Sequence, residues 1–220
     1  MGLSRRPGPA DPAPEAGQVV RLVLWLLAAY LLGSIPSSYL VARWFGGVDL
    51  RQHGSKNLGA TNLYRTLGWR YALPAGLFDV AKGTVPVVAF APQAGSAEWM
   101  PLALGVSAIV GHVFSVFVGF RGGKGVATAA GAVLGLGPLP LLVSAVVWGV
   151  LVWSTGYVSV ASMAGALAFP LAAWLLQPGD HYVILGGLLL AAFIVFNHRG
   201  NIRRLLAGRE ARFGHRHAAS

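Results

Sequence analysis

Long apolar runs dominate the middle of the chain, each to be set against the ~20 residues that a helix needs to cross the hydrocarbon of a bilayer. Seven follow one another, over residues 22–42, 71–91, 99–120, 126–136, 139–153, 158–176 and 182–197. The fourth and fifth are short, and the break at Gly137 and Pro138 leaves open a kink within one long helix. Charge and parity favour seven. Thirteen of the 17 Lys and Arg lie between spans one and two, between spans three and four, or beyond Asn197. The loops 92–98 and 177–181, which seven spans place on the opposite face, carry none. The positive-inside rule then puts the N-terminus outside and the C-terminus in the cytoplasm. Arg5 and Arg6 run against that bias. A six-span chain would set residues 54–65 opposite the basic C-terminus. Trp44, Trp69 and Trp153 near one set of ends, and Trp99 and Trp174 near the other, fit an aromatic belt.

Between the first two spans lies GSKNLGATNLYR, residues 54–65, where glycine, hydroxyl and amide residues are bracketed by cations. Read as a helix from Asn57 at 100° per residue, it gathers Asn57, Thr61, Arg65, Asn62 and Thr66 on one half. Leu63, Leu67, Ala60 and Tyr64 fall on the other, with Leu58 misplaced. Such a helix lies in the membrane interface. A plain alternative is an amphipathic linker capped by Ser55.

Composition agrees with a membrane chain: 55% hydrophobic, 11% charged, mean hydropathy +0.61. The net charge of +10 then reads as topology rather than as a nucleic-acid footprint. No cysteine is present, which removes thiolate chemistry and disulfides. Seven Asp and Glu without ligand spacing predict no metal site. Residues 1–18, rich in proline, predict a disordered tail, residues 19–210 the membrane domain, and residues 211–220 a basic C-terminal tail. The first apolar run is too long for a signal peptide and lacks a cleavage site before the polar GSIPSS.

Chemistry has three further candidate places. In GFRGGKGVAT, residues 119–128, Gly122, Gly123 and Gly125 allow close backbone approach to an oxyanion, Lys124 adds charge, and the start of span four adds a helix dipole. It is not a Walker A loop, since Val118 and Gly125 stand where that motif needs glycine and a hydroxyl. The alternative is a flexible turn with snorkelling cations. In HRGNIRRLLAGRE, residues 198–210, His198 and Asn201 share a helical face, while Arg203 and Arg204 suit topology anchors or headgroup contacts. Asp79 and Lys82 lie within span two, about 12 Å beyond Tyr71. Charges there cost ~2.5–3.5 kcal/mol each, so this pair faces the protein interior or a hydrated cavity. His112 in span three reads as a helix contact, with no second ligand at i+4.

In order and spacing these motifs, with GSIPSSYLVAR and FDVAKG, resemble the acyl-phosphate-dependent glycerol-3-phosphate acyltransferases, the PlsY family. The resemblance spans residues 32–210, with Lys56 where many members have glycine. It implies an all-α integral membrane fold of seven transmembrane helices with a short interfacial helix after the first. It implies acyl transfer from acyl phosphate to the 1-hydroxyl of sn-glycerol 3-phosphate, giving lysophosphatidic acid and phosphate, without a cofactor, in the bacterial inner membrane. Ser55, Arg65, Lys124, His198 and Asn201 would be catalytic and surround glycerol 3-phosphate, with Asn57, Thr61 and Asn62 beside them. Gly122, Gly123, Gly125 and Thr128 would hold the acyl phosphate. An activated donor needs no acyl-enzyme, so Ser55 binds rather than attacks. Either His198 or the phosphate of the donor takes the hydroxyl proton. The implied partners are the two substrates, membrane lipids and the soluble enzyme that makes acyl phosphate, with no nucleic acid.

The acyltransferase class that uses acyl-CoA or acyl carrier protein relies on a His-x4-Asp pair. No histidine here has an aspartate five residues on. Rival readings are an anion transporter, which would show related halves and more ionisable groups near the midplane, and a lipid-binding protein, which leaves the glycine loop unexplained.

Overall fold

The structure is a computed structural model that describes residues 16–213, all-helical throughout its regular segments. Helix α1 (Ala16–Ser34) ends at Ile35 and Pro36, and α2 (Ser37–Gly46) continues beyond the break. The short α3 (Ala60–Leu67) leads into α4 (Trp69–Val85), which passes through a π turn at Pro86–Phe90 into α5 (Ala91–Ala94). Then come α6 (Met100–Val113), a 3-10 turn at Val116–Val118, α7 (Val126–Leu136), α8 (Pro138–Thr155), α9 (Val158–Leu176), α10 (His181–Asn197) and α11 (Arg199–Leu206).

Each predicted apolar run therefore contains helix, though the first breaks at proline, the second carries a π turn, and the third is α-helical only to Val113. Five segments among the described residues are long and apolar enough to cross a membrane: Ala16–Gly46, Trp69–Ala94, Met100–Val118, Pro138–Thr155 and Val158–Leu176. Helix α10 would add a sixth only if counted as one span with α11, from which it is bent by 54°. Helix α7 has 11 residues, about 16 Å, roughly half a hydrocarbon core. Gly137, with φ −155° and ψ 80°, separates α7 from α8. Leucines of α1, α8 and α10, among them Leu24, Leu142 and Leu189, remain exposed, as lipid-facing positions should. The coarse conclusion is a multi-pass, all-helical membrane protein.

Two predicted boundaries are corrected. Helix α1 begins at Ala16, within the segment read as tail, and the rest of that predicted tail lies outside the described residues. Helix α3 begins at Ala60 rather than Asn57, because Lys56 has positive φ and Gly59 is extended. Ser55 consequently caps nothing, since Gly59 holds the N-cap and makes no side-chain cap bond. Of the predicted C-terminal tail, residues 211–213 fold back onto the protein, and 214–220 lie outside the described residues.

Lipid tails give helices no hydrophobic reason to associate, so close packing of small residues must hold them. Helix α4 meets α7 almost backbone to backbone. A Cβ on Gly83 would collide with the carbonyl of Thr128, and one on Gly131 with that of Val80. Thr84 Oγ1 donates to Gly131 O at 2.9 Å across the same seam. Gly131→Leu should therefore separate these helices, destabilising the fold by about 1–3 kcal/mol as overpacking does. Thermal unfolding in detergent checks this, and a melting temperature equal to wild type would refute the seam.

Candidate functional site

The three polar stretches, far apart in sequence, converge on one cavity of about 670 Å³. Its polar end is lined by Ser55, Asn57, Thr61, Asn62 and Arg65 from the first stretch, Lys124 and Gly125 from the glycine loop, and His198, Asn201 and Glu210 from the third. From there it runs between apolar side chains: Ala129 and Val133 of α7, Leu141 and Trp148 of α8, Phe169 of α9, Leu190 and Ile194 of α10. A smaller cavity of about 280 Å³ shares Ser55, Asn57, Lys124 and Asn201 and adds Arg199, Arg203 and Arg204.

One hydrogen-bond chain organises the polar end. Lys124 Nζ donates to Asn201 Oδ1, which leaves Asn201 Nδ2 to donate to Glu210 Oε1 at 2.6 Å. Ser159 Oγ donates to the same carboxylate oxygen at 2.9 Å, and Arg204 Nε to the other at 2.7 Å. Burial alone would raise the pKa of Glu210, but its bonds from Asn201, Arg204 and Ser159 outweigh that and hold it below the ordinary carboxylate value. Glu210 is thus an ionised anchor for the residues around it. Sequence reasoning did not single it out. The available signal was that it is the lone carboxylate among the arginines that follow the last span.

Burial pushes Lys124 down to about 8; Glu210 opposes the shift, and Arg204 and Arg65 add to it. Burial, with Lys124 nearby, pushes His198 down to about 4. His198 Nδ1 lies 2.8 Å from Ile194 O, and a carbonyl can only accept. Neutral His198 therefore carries its proton on Nδ1 and keeps Nε2 as an acceptor. Arg65 Nη2 donates to Ala211 O at 3.0 Å, while its buried Nε has no partner among the described residues.

The backbone explains why these groups meet. Gly125 has φ +85°, a left-handed conformation that glycine adopts without strain, and it starts α7 directly after Lys124. Asn62 fastens the loop before α3: its Nδ2 donates to Leu50 O, His53 O and Asn57 O, and its Oδ1 accepts from Ser55 N. Asn62 lines the cavity, yet its amide is already engaged. Beyond α11, Phe213 stacks on Tyr64 with ring centroids 4.5 Å apart, and its N–H donates to Gly156 O at 2.6 Å.

Gly122, Gly123 and Thr128 are placed differently from the other predicted site residues, for they do not line the cavity. The N–H of Gly122 donates to Val113 O at 2.9 Å and that of Gly123 to His112 O at 3.1 Å, so both amides are directed at α6. Thr128 is fully buried beside α4.

Fold and site together define a multi-pass membrane protein whose cationic, anion-sized pocket opens into a lipid-sized apolar cavity. The profile of the family described as Glycerol-3-phosphate acyltransferase matches residues 23–208. A Glycerol-3-phosphate acyltransferase of Chlorobaculum parvum is 41% identical, with 87% of this chain and 97% of that one covered. One of Trichlorobacter lovleyi is 42% identical over the same shares of the two chains. Among solved structures, PlsY, an integral membrane glycerol 3-phosphate acyltransferase, matches in its glycerol 3-phosphate form with TM-score 0.81 and 39% identity, covering 88% of this chain and 96% of that chain. Its lysophosphatidic acid form matches with TM-score 0.78 and 38% identity, covering 88% and 95%. This chain belongs to the glycerol-3-phosphate acyltransferase family.

Proposed function

We propose that the enzyme transfers a fatty acyl chain from acyl phosphate to the 1-hydroxyl of glycerol 3-phosphate, releasing lysophosphatidic acid and phosphate. The observation that carries this is the joined cavity, polar and cationic at one end and apolar along its length. A reaction between a phosphate ester and an alkyl-bearing partner uses both ends. The solved relatives, in glycerol 3-phosphate and lysophosphatidic acid forms, support the same acceptor and product.

The residues divide by chemistry. Lys124 and Arg65 neutralise phosphate, which the smaller cavity with Arg199, Arg203 and Arg204 attracts from solution. Asn201, oriented by Glu210, holds Lys124 in place. Ser55, Asn57, Thr61 and His198 offer hydrogen bonds to glycerol hydroxyls. Asn62 fixes the loop that carries Ser55 and Asn57. Gly122 and Gly123 set the turn that presents Lys124, and Thr128 lies in the helix behind it. Acyl phosphate is already activated, so attack by the hydroxyl needs no covalent enzyme intermediate.

Seven crossings, with α7 as a short one beside the active site and α3 lying in the interface, place all three polar stretches in the cytoplasm. The loops 92–98 and 177–181, free of Lys and Arg, would then face outward. That arrangement, in a bacterial inner membrane, lets soluble glycerol 3-phosphate enter from the cytoplasm and the soluble acyl-phosphate-forming enzyme deliver the donor there.

The test is lysophosphatidic acid formation, with phosphate release measured beside it, by purified protein given palmitoyl phosphate, palmitoyl-CoA or no donor, each with glycerol 3-phosphate. Phosphate and lysophosphatidic acid should appear in equal amounts with the first donor alone. Equal turnover of palmitoyl-CoA, or no product above a boiled control, would overturn the reading.

A further inference from the structure

Three buried ionisable side chains remain outside this assignment. Asp79 and Lys82 stand one turn apart on α4 and are 1% and 2% exposed; His112, on α6, is 8% exposed. Asp79 Oδ1 accepts from Ser37 Oγ and from Lys82 Nζ, both at 2.7 Å, and His112 Nδ1 stands 3.6 Å away. Lys82 Nζ also donates to Ile35 O at 2.7 Å, at the break between α1 and α2. The cluster thereby ties together the first break, α4 and α6.

Stability alone is a weak reason to keep such ions, since replacing a buried ion pair by apolar residues is often neutral or stabilising. What lies above the cluster supplies a better one. The glycine loop rests on His112: a Cβ on Gly123 would overlap the imidazole at Nε2, and one on Gly122 would collide with the His112 carbonyl. The same carbonyl accepts the Gly123 N–H at 3.1 Å. Lys124 follows directly, and both Asp79 and His112 border the cavity that it enters.

We infer that Asp79, Lys82 and Ser37 hold His112 as the platform on which Gly122 and Gly123 sit, and that this platform positions Lys124 for acyl transfer. They are positioning residues, and the inference rests on the role proposed for Lys124. It accounts for two charges within a span and for glycine at both loop positions, where any Cβ would lift the loop from its seat.

The test is coupling to Lys124. Asp79→Asn/Lys82→Met removes both charges and leaves neither unpaired, and His112→Ala removes the platform while keeping the pair. Each is measured alone and combined with Lys124→Ala, as kcat/KM with palmitoyl phosphate and glycerol 3-phosphate, beside a thermal melt. Each should cost about tenfold in the presence of Lys124 and less than twofold once Lys124 is gone, because residues that act as one unit are not additive. Equal losses in both backgrounds, activity within twofold of wild type, or failure of both variants to fold would overturn the inference. Near-wild-type activity of Lys124→Ala alone would overturn the Lys124 role and the inference with it. A large Lys124→Ala loss with additive effects would sink the inference only.

Discussion

Lys124→Ala should lower kcat/KM by about thirtyfold or more, since removing one charged group from a developing oxyanion costs at least ~2 kcal/mol. The reason lies in where the ammonium is held. It sits where the three polar stretches meet, donates to Asn201, and faces the cavity from the turn that Gly125 makes possible. Burial lowers its pKa to about 8, so its charge is costly to the apo protein and available to a phosphate. Two consequences separate this from a merely structural lysine. Activity should decline as pH rises through about 8, where the ammonium is lost. Stability should move the other way. The pKa of Lys124 is depressed from 10.5 to about 8, so between those values the unfolded chain binds more protons and stability rises with pH. Lys124→Met should flatten that rise and raise the melting temperature at pH 7. Activity within threefold of wild type, or an unchanged pH profile, would refute the assigned role.

The helical architecture was legible because hydrophobicity over ~20 residues is a strong signal. Residues 126–136 and 158–176 came out with the predicted limits. Local breaks were less legible. Pro36 stops α1, whereas Pro74 and Pro170 lie within helices, and the difference is made by neighbours that no periodicity shows. The helix read from Asn57 failed at its start because the backbone at Lys56 and Gly59 is set by Asn62, whose amide binds three carbonyls of the preceding loop. Residue type suggested a substrate ligand, and the tertiary contacts show a loop fastener. Ser55, Arg65, Lys124, His198 and Asn201 line one cavity, and that meeting is made by contacts between helices that no local pattern shows. Glu210 escaped because a single acidic residue among arginines reads as surface compensation until its buried partners are seen. The glycine loop was legible as a tight turn, but the direction of its amides was not, since that depends on the carbonyls of α6.

His198→Ala should lower kcat/KM by about thirtyfold to about 150-fold, the effect of leaving a substrate hydroxyl without its buried acceptor at ~2–3 kcal/mol. His198→Gln should recover much of that, with a raised KM for glycerol 3-phosphate and kcat within about tenfold of wild type. The distinction rests on basicity. With Nδ1 committed to Ile194 O, Nε2 is left to accept the 1-hydroxyl proton or merely to orient the hydroxyl. Burial and the Lys124 charge hold His198 down to about 4. Proton acceptance follows Brønsted behaviour, so a group this weakly basic is a poor base at neutral pH. The phosphate of the donor, whose basicity rises as its bond to the acyl carbon breaks, is the better acceptor. On this account the nitrogen positions the hydroxyl, and the leaving phosphate carries the proton away. A glutamine can accept the same hydrogen bond but cannot act as a base at all. Loss of kcat by more than about a thousandfold in His198→Gln, with KM unchanged, would make the histidine the base. So would an acid limb in kcat that disappears with the substitution.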